Sequence, residues 1–200
     1  MKVSLDQSDP ASYPDTVLRR VNWSTDLVTV RRLFQDYRKW LAEHQESPSN
    51  VEGTVPAGLG SIDKETAELP GVYGPPRGEI ILAFKHDALV ACGALRGLGP
   101  KLGEIKRVYV RADHRGPGFG PRLTQALLDR ARELGYARVR VDTLPTMTAA
   151  IEFYQEMGFK PIPPYWPHPV PGALFFEYRV PSGGSVQRNT RVLKAKRPGK

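Results

Sequence analysis

The residues best able to do chemistry stand together at Arg115-Gly116-Pro117-Gly118-Phe119-Gly120, after a strand-like apolar run and before a helix-like one. Glycines let the backbone approach a ligand closely, and the unpaired N–H groups and dipole of a helix start favour an anion. Arg115 adds a forked cation suited to phosphate. The chemistry on offer is capture of a phosphate group, although the same residues also make an ordinary strand-to-helix loop. Neither familiar nucleotide fingerprint is complete: there is no G-x-x-x-x-G-K-[ST], and Leu123 stands where G-x-G-x-x-G would end in glycine. The single cysteine, Cys92, lies inside an apolar run and reads as a buried, inert thiol. One cysteine closes no intrachain disulfide and builds no cysteine-rich zinc site, so no metal is expected and a reducing, cytoplasmic setting is the simplest assignment.

The elements around this turn can be read from their periodicity. A short strand is expected around Val17 to Val21. Leu27, Val30, Phe34, Tyr37 and Leu41 recur at spacings of 3 and 4, one face of a helix, with Ser24 or Thr25 as cap. Ser47 to Ser61 loses that period and gathers prolines and glycines, a long loop ahead of a short helix near Asp63 to Leu69. Ile80 to Phe84 and Leu89 to Leu95 read as a hairpin. Glu104 to Arg111 is a third strand with an irregular period: Ile105, Val108 and Val110 are spaced 3 and then 2, so one extra residue near Arg107 restores the register as a β-bulge. The competing account is a strand buried on both faces, with Tyr109 also inward. Leu123, Leu127, Ala131 and Leu134 mark a helix opened by Pro121 and closed by Gly135, followed by the alternating strand Arg138 to Thr143. A helix from about Thr146 to Met157 carries Tyr154 on its apolar side, where core filling is the plain role of a tyrosine. The stretch Ile162 to Pro171 is crowded with proline and should be stiff and extended, and Ala173 to Val180 closes the body as a strand.

Two hundred residues fit one domain, and 40% hydrophobic with 25% charged residues is an ordinary globular balance. No apolar run approaches the roughly 18 residues of a membrane span. The net charge of +8 is unevenly placed, since Arg188, Arg191, Lys194, Lys196, Arg197 and Lys200 follow Pro181 without an acid and leave the body at +2. A nucleic-acid-binding fold would carry its cations on the folded face, so binding of that kind is expected only weakly and through the tail. The organisation expected is a flexible stretch over 1–14, one domain over 15–180 and a disordered basic tail over 181–200.

The strand EIKRVYV, the turn RGPGFG with its helix, the strand RVRVDT and the run AIEFYQEMGF together resemble the GNAT superfamily of acyl-CoA-dependent N-acetyltransferases. The likeness covers about residues 15 to 180. It rests on [RQ]-x-x-G-x-[GA] at the turn and F-Y-x-x-x-G-F at Phe153 to Phe159, in that order with one helix and one strand between them. The resemblance implies an α/β (α+β) fold with a mixed, mostly antiparallel sheet, bulged and flanked by helices, and opened into a gap that takes acetyl-CoA. It assigns the pantetheine arm and thioester carbonyl to the backbone of Val108, Tyr109 and Val110, and the pyrophosphate to Arg115, Gly116, Pro117, Gly118, Phe119 and Gly120. Pro117 and Pro121 depart from the family pattern and remove N–H donors, a loss of about 1 kcal/mol per hydrogen bond. Arg122 is the residue placed to restore positive charge.

The implied activity is acetyl transfer to a primary amine of a small molecule or peptide by direct attack within a ternary complex. An alkyl ammonium of pKa about 10.4 must lose a proton before it can attack. Glu104 is the candidate base, with Glu79 and Glu177 behind it, and Tyr154 is the candidate acid for the departing thiolate. The acceptor pocket should draw on the helix after Leu27, the loop Ser47 to Ser61 and the proline-rich stretch with Tyr165, Trp166 and His168. Relatives of this kind are often homodimers. Two other readings share the sequence: a non-catalytic acyl-CoA-binding module of the same fold, and a nucleic-acid-associated protein acting through its tail.

Overall fold

The computed structural model describes residues 15–44, 59–116, 118–166 and 171–181. Expectations placed on residues 1–14, most of the Ser47 to Ser61 loop, Pro117, His168 and the basic tail lie outside them. Seven strands form one sheet: β1 (Thr16–Arg20), β2 (Glu79–Lys85), β3 (Ala88–Gly99), β4 (Leu102–Val110), β5 (Arg138–Thr143), β6 (Lys160–Ile162) and β7 (Leu174–Arg179), in the order β1-β2-β3-β4-β5-β7-β6. Only β4 and β5 run parallel, and every other neighbouring pair is antiparallel. The β2–β3 hairpin turns at His86 and Asp87, both at positive φ, as a two-residue turn matched to strand twist requires.

Among the described residues, four α-helices cover the sheet. One core packs Leu123, Leu127 and Leu128 of α3 (Phe119–Glu133) and Tyr154 of α4 (Thr148–Glu156) against Ile105, Val139, Val141 and Phe176. A second core joins Val30, Leu33 and Phe34 of α1 (Leu27–His44) to Ile80, Leu82, Cys92 and Tyr109. Adjacent strand residues divide between the two cores, so the sheet is buried on both sides. A third, smaller cluster ties Leu41 of α1 to Ile62 of α2 (Leu59–Ala67).

Several boundaries differ from the sequence reading. Asp26, rather than Ser24 or Thr25, precedes α1, where it accepts the Asn22 N–H at 2.7 Å and pairs with Arg19 at 2.6 Å. α2 begins at Leu59, ahead of its expected start at Asp63. α3 begins at Phe119, so Pro121 is its third residue and not its first; the first turn needs no N–H there in either case. The two accounts of the third strand were opposed in the sequence, yet both hold: β4 is bulged, and Tyr109 is buried in the second core.

Candidate active site

The site begins with the bulge. Cys92 pairs with Tyr109 and Ala94 with Lys106, which leaves Gly93 opposite both Arg107 and Val108. Arg107 takes up the extra residue at φ +57°, a conformation that costs a side-chain-bearing residue roughly 1–2 kcal/mol. It is held there although only 7% exposed: its guanidinium meets Glu65 of α2 at 2.8 Å and Ser61 at 2.9 Å. Glu65 is buried, which raises its pKa, but Arg107, the Tyr73 hydroxyl and Arg96 outweigh burial and hold the carboxyl below its usual range.

A bulge re-aims the strand, and β4 accordingly leaves β5. The two pair only from Leu102–Arg138 to Glu104–Arg140. Beyond that rung Val108, Tyr109 and Val110 have no β5 partner, and the sheet opens into a wedge. Lys106 reaches across the opening to Asp142 of β5 at 2.6 Å.

The glycine turn lies at the end of β4. Arg115 donates from Nε to the Val110 carbonyl at 3.2 Å, and its guanidinium lies 4.4 Å from the Trp40 ring centroid. Gly116 has φ +98°, and a methyl placed there would meet no heavy atom within 4 Å among the described residues. Gly118, at φ +75°, precedes α3 with no described side chain capping the helix, and the first ladder bond runs from Arg122 N–H to Gly118 O. The Phe119 and Gly120 amides precede that bond, so a bare helix start with open space beside it fits a diphosphate group. Arg122 is occupied elsewhere, donating to Thr16 at 2.5 Å.

The titratable groups lie at different distances from the wedge. Tyr154 is packed between Phe153 and Phe159, and burial, with Tyr37 and Asp142 nearby, pushes its phenol well above the usual value. Tyr37 of α1 faces Arg107 and Asp142 and is also raised, by burial first. Glu104 is wholly buried at the last β4–β5 rung, bound by Arg96 of β3 at 2.6 Å and by the Tyr165 hydroxyl at 2.8 Å. Glu79 sits two strands away beside Arg130 and is raised by burial. Glu177 is taken up by Arg140 at 2.9 Å. Cys92 is fully buried beneath the bulge, where burial pushes the thiol up to about 12.

The family model of the acetyltransferase (GNAT) family matches residues 38–159. The chain belongs to the GNAT acetyltransferase family. An uncharacterized N-acetyltransferase of Schizosaccharomyces pombe is 34% identical over 122 residues, 60% of this chain and 75% of that protein. An acetyltransferase from Streptococcus agalactiae has the same fold at TM-score 0.65 and 16% identity, covering 84% of this chain and 99% of that one. The PaiA N-acetyltransferase from Thermoplasma acidophilum, solved in complex with coenzyme A, gives TM-score 0.62 at 17% identity over 82% and 98% of the two chains. No helix among the described residues of this GNAT acetyltransferase is long and apolar enough to cross a membrane.

Of the expected site residues, Val108, Tyr109 and Val110 lie on the unpaired stretch of β4, Glu104 at the last rung before it, and Arg115, Gly116, Gly118, Phe119 and Gly120 after its end, while Tyr154 packs in the first core with Tyr37 and Asp142 near enough to act on it. The sequence marks Arg107 as the place of the bulge and Tyr37 on the helix expected at the pocket, but it gives no sign of Glu65 or Arg96, which hold Arg107 and Glu104 in place. Asp142 carried a signal, since it stands next to the inward Val141 in an alternating strand and must face the opposite side.

Proposed function

We propose that this GNAT acyltransferase moves an acetyl group from acetyl-CoA to a primary amine of a small molecule or peptide by direct attack in a ternary complex. The observation that carries the reading is the wedge opened by the Arg107 bulge and ending on the uncapped start of α3. Phe119 and Gly120 amides, with Arg115 turned from Trp40 and Val110, would hold the diphosphate. The unpaired edge of β4 at Val108, Tyr109 and Val110 would hold the pantetheine arm and donate N–H to the developing oxyanion. Acetyl-CoA supplies the activated acyl group; the protein orients it, takes a proton from the amine and gives one to the departing sulfur. Glu104 is the base in this reading and Tyr154 the acid, and the exclusion of water by the buried walls favours the uncharged amine.

Thiol release from acetyl-CoA across a panel of amines tests the proposal, with calorimetry for coenzyme binding alongside. Release that depends on a particular amine is expected. Heat of binding without release for any amine would favour the non-catalytic module, and no heat at all would remove both.

A further inference from the structure

Glu104 has 0% side-chain exposure, so an acceptor amine cannot touch it. One carboxylate oxygen receives Arg96, and the other receives the hydroxyl of Tyr165. Tyr165 is half-buried and comes from the segment after β6, its ring set edge-on to Phe175 with centroids 5.1 Å apart and covered by Arg140 at 4.9 Å. Tyr165 is partly exposed where Glu104 is not, so its hydroxyl connects the hidden carboxylate to the surface.

We infer that Tyr165 is the group that meets the acceptor nitrogen and passes its proton inward to Glu104. This rests on the acetyl-transfer reading above. The ammonium N–H bond breaks and its proton bonds to the Tyr165 oxygen, while the Tyr165 O–H bond breaks and that proton bonds to Glu104. Tyrosine ends neutral, the ammonium charge cancels the carboxylate charge, and the nitrogen lone pair is free to attack. After product leaves, the reverse passage returns the proton to solvent.

Concerted transfer is the form the surroundings allow. Burial, with Glu104 adding to it, pushes the Tyr165 phenol far above its usual value, so a free phenolate does not form. Arg96 from β3, Lys106 on β4 with its ammonium 4.0 Å from Glu104, and Arg140 from β5 all face the pair, and Asp142 and Glu65 face those cations.

Tyr165→Phe tests this, because it keeps the ring, its packing and the Arg96–Glu104 pair. With an amine that the wild-type enzyme acetylates, kcat at pH 7 should fall about 10²-fold while coenzyme affinity by calorimetry stays unchanged. The deficit should shrink as pH rises toward the acceptor's pKa of about 10.4, where solvent supplies the free amine. A deficit equal at every pH, or none, overturns the relay. A proton inventory on the unaltered enzyme under single-turnover conditions needs no variant: two protons in flight give a curved dependence on deuterium fraction, and a linear one overturns the proposal. If the wild type acetylates no amine, the acetyl-transfer reading fails first, and that is seen without any variant.

Discussion

At the scale of single residues, energetics limits how much Tyr154 can do. A phenol of pKa about 10 giving its proton to a thiolate of pKa about 8.5 runs uphill by roughly 2 kcal/mol. Burial raises the phenol further and makes it a weaker acid still. Tyr154→Phe should therefore lower kcat by about 10²-fold, the low edge of what general acids contribute, and leave coenzyme affinity unchanged. An unaltered steady-state rate would remove Tyr154 from the acid role. Cys92 makes an opposite kind of prediction. A buried thiol pushed up to about 12 is neutral at physiological pH and shielded from reagents, so iodoacetamide should leave the native protein unlabelled and modify it once it is unfolded. Mass spectrometry distinguishes the two cases, and labelling of the folded protein would contradict the packing described beneath the bulge.

Among the elements, the bulged strand and α2 depend on one another. Arg107 occupies a strained backbone position, and Glu65 from α2 neutralises it there. Removing one partner of a buried pair leaves an uncompensated charge, so Arg107→Ala should cost about 3 kcal/mol in urea unfolding at neutral pH. The sign with pH follows from Glu65, whose folded pKa is depressed. Its stabilising contribution is full above the unfolded value of about 4.3 and is lost as pH falls through the folded value, so wild type and Arg107→Ala should converge in acid. A gap that stays constant down to pH 3 would mean the pair is not its source. The bulge itself was legible in the sequence because Ile105, Val108 and Val110 break a period of two. Its anchor was not, because Glu65 lies 42 residues away on a helix whose length and start carry little periodic signal. Tyr165 and Glu104, 61 residues apart, were each singled out, yet nothing in local patterning could join them. Strand identities were likewise readable from apolar runs, whereas the reach of β4–β5 pairing depends on the bend the bulge imposes.

For the whole molecule, the unequal distribution of charge separates catalysis from association. Six of the eight net positive charges follow Pro181, and the body that holds the wedge carries +2. Val180 belongs to the body: it is buried, and its N–H donates to the Ala137 carbonyl at 3.0 Å. A truncation that keeps Pro181 and removes 182–200 therefore spares the core, while one beginning at Val180 would damage β7 and confuse lost binding with lost fold. The shortened chain should retain kcat for acetyl transfer and its melting temperature, because the amides proposed to hold the diphosphate, the wedge and both main cores lie within residues 15–181. Affinity for phosphate-rich polymers should drop and lose its dependence on salt, since each cation that no longer contacts a phosphate removes close to one unit from the slope of log K against log salt. Titration of both chains against a nucleic acid from low to high salt, alongside acetyl-transfer kinetics, separates the two outcomes. Loss of transfer with the fold intact would place part of the catalytic apparatus in the basic segment and overturn the assignment of catalysis to the sheet.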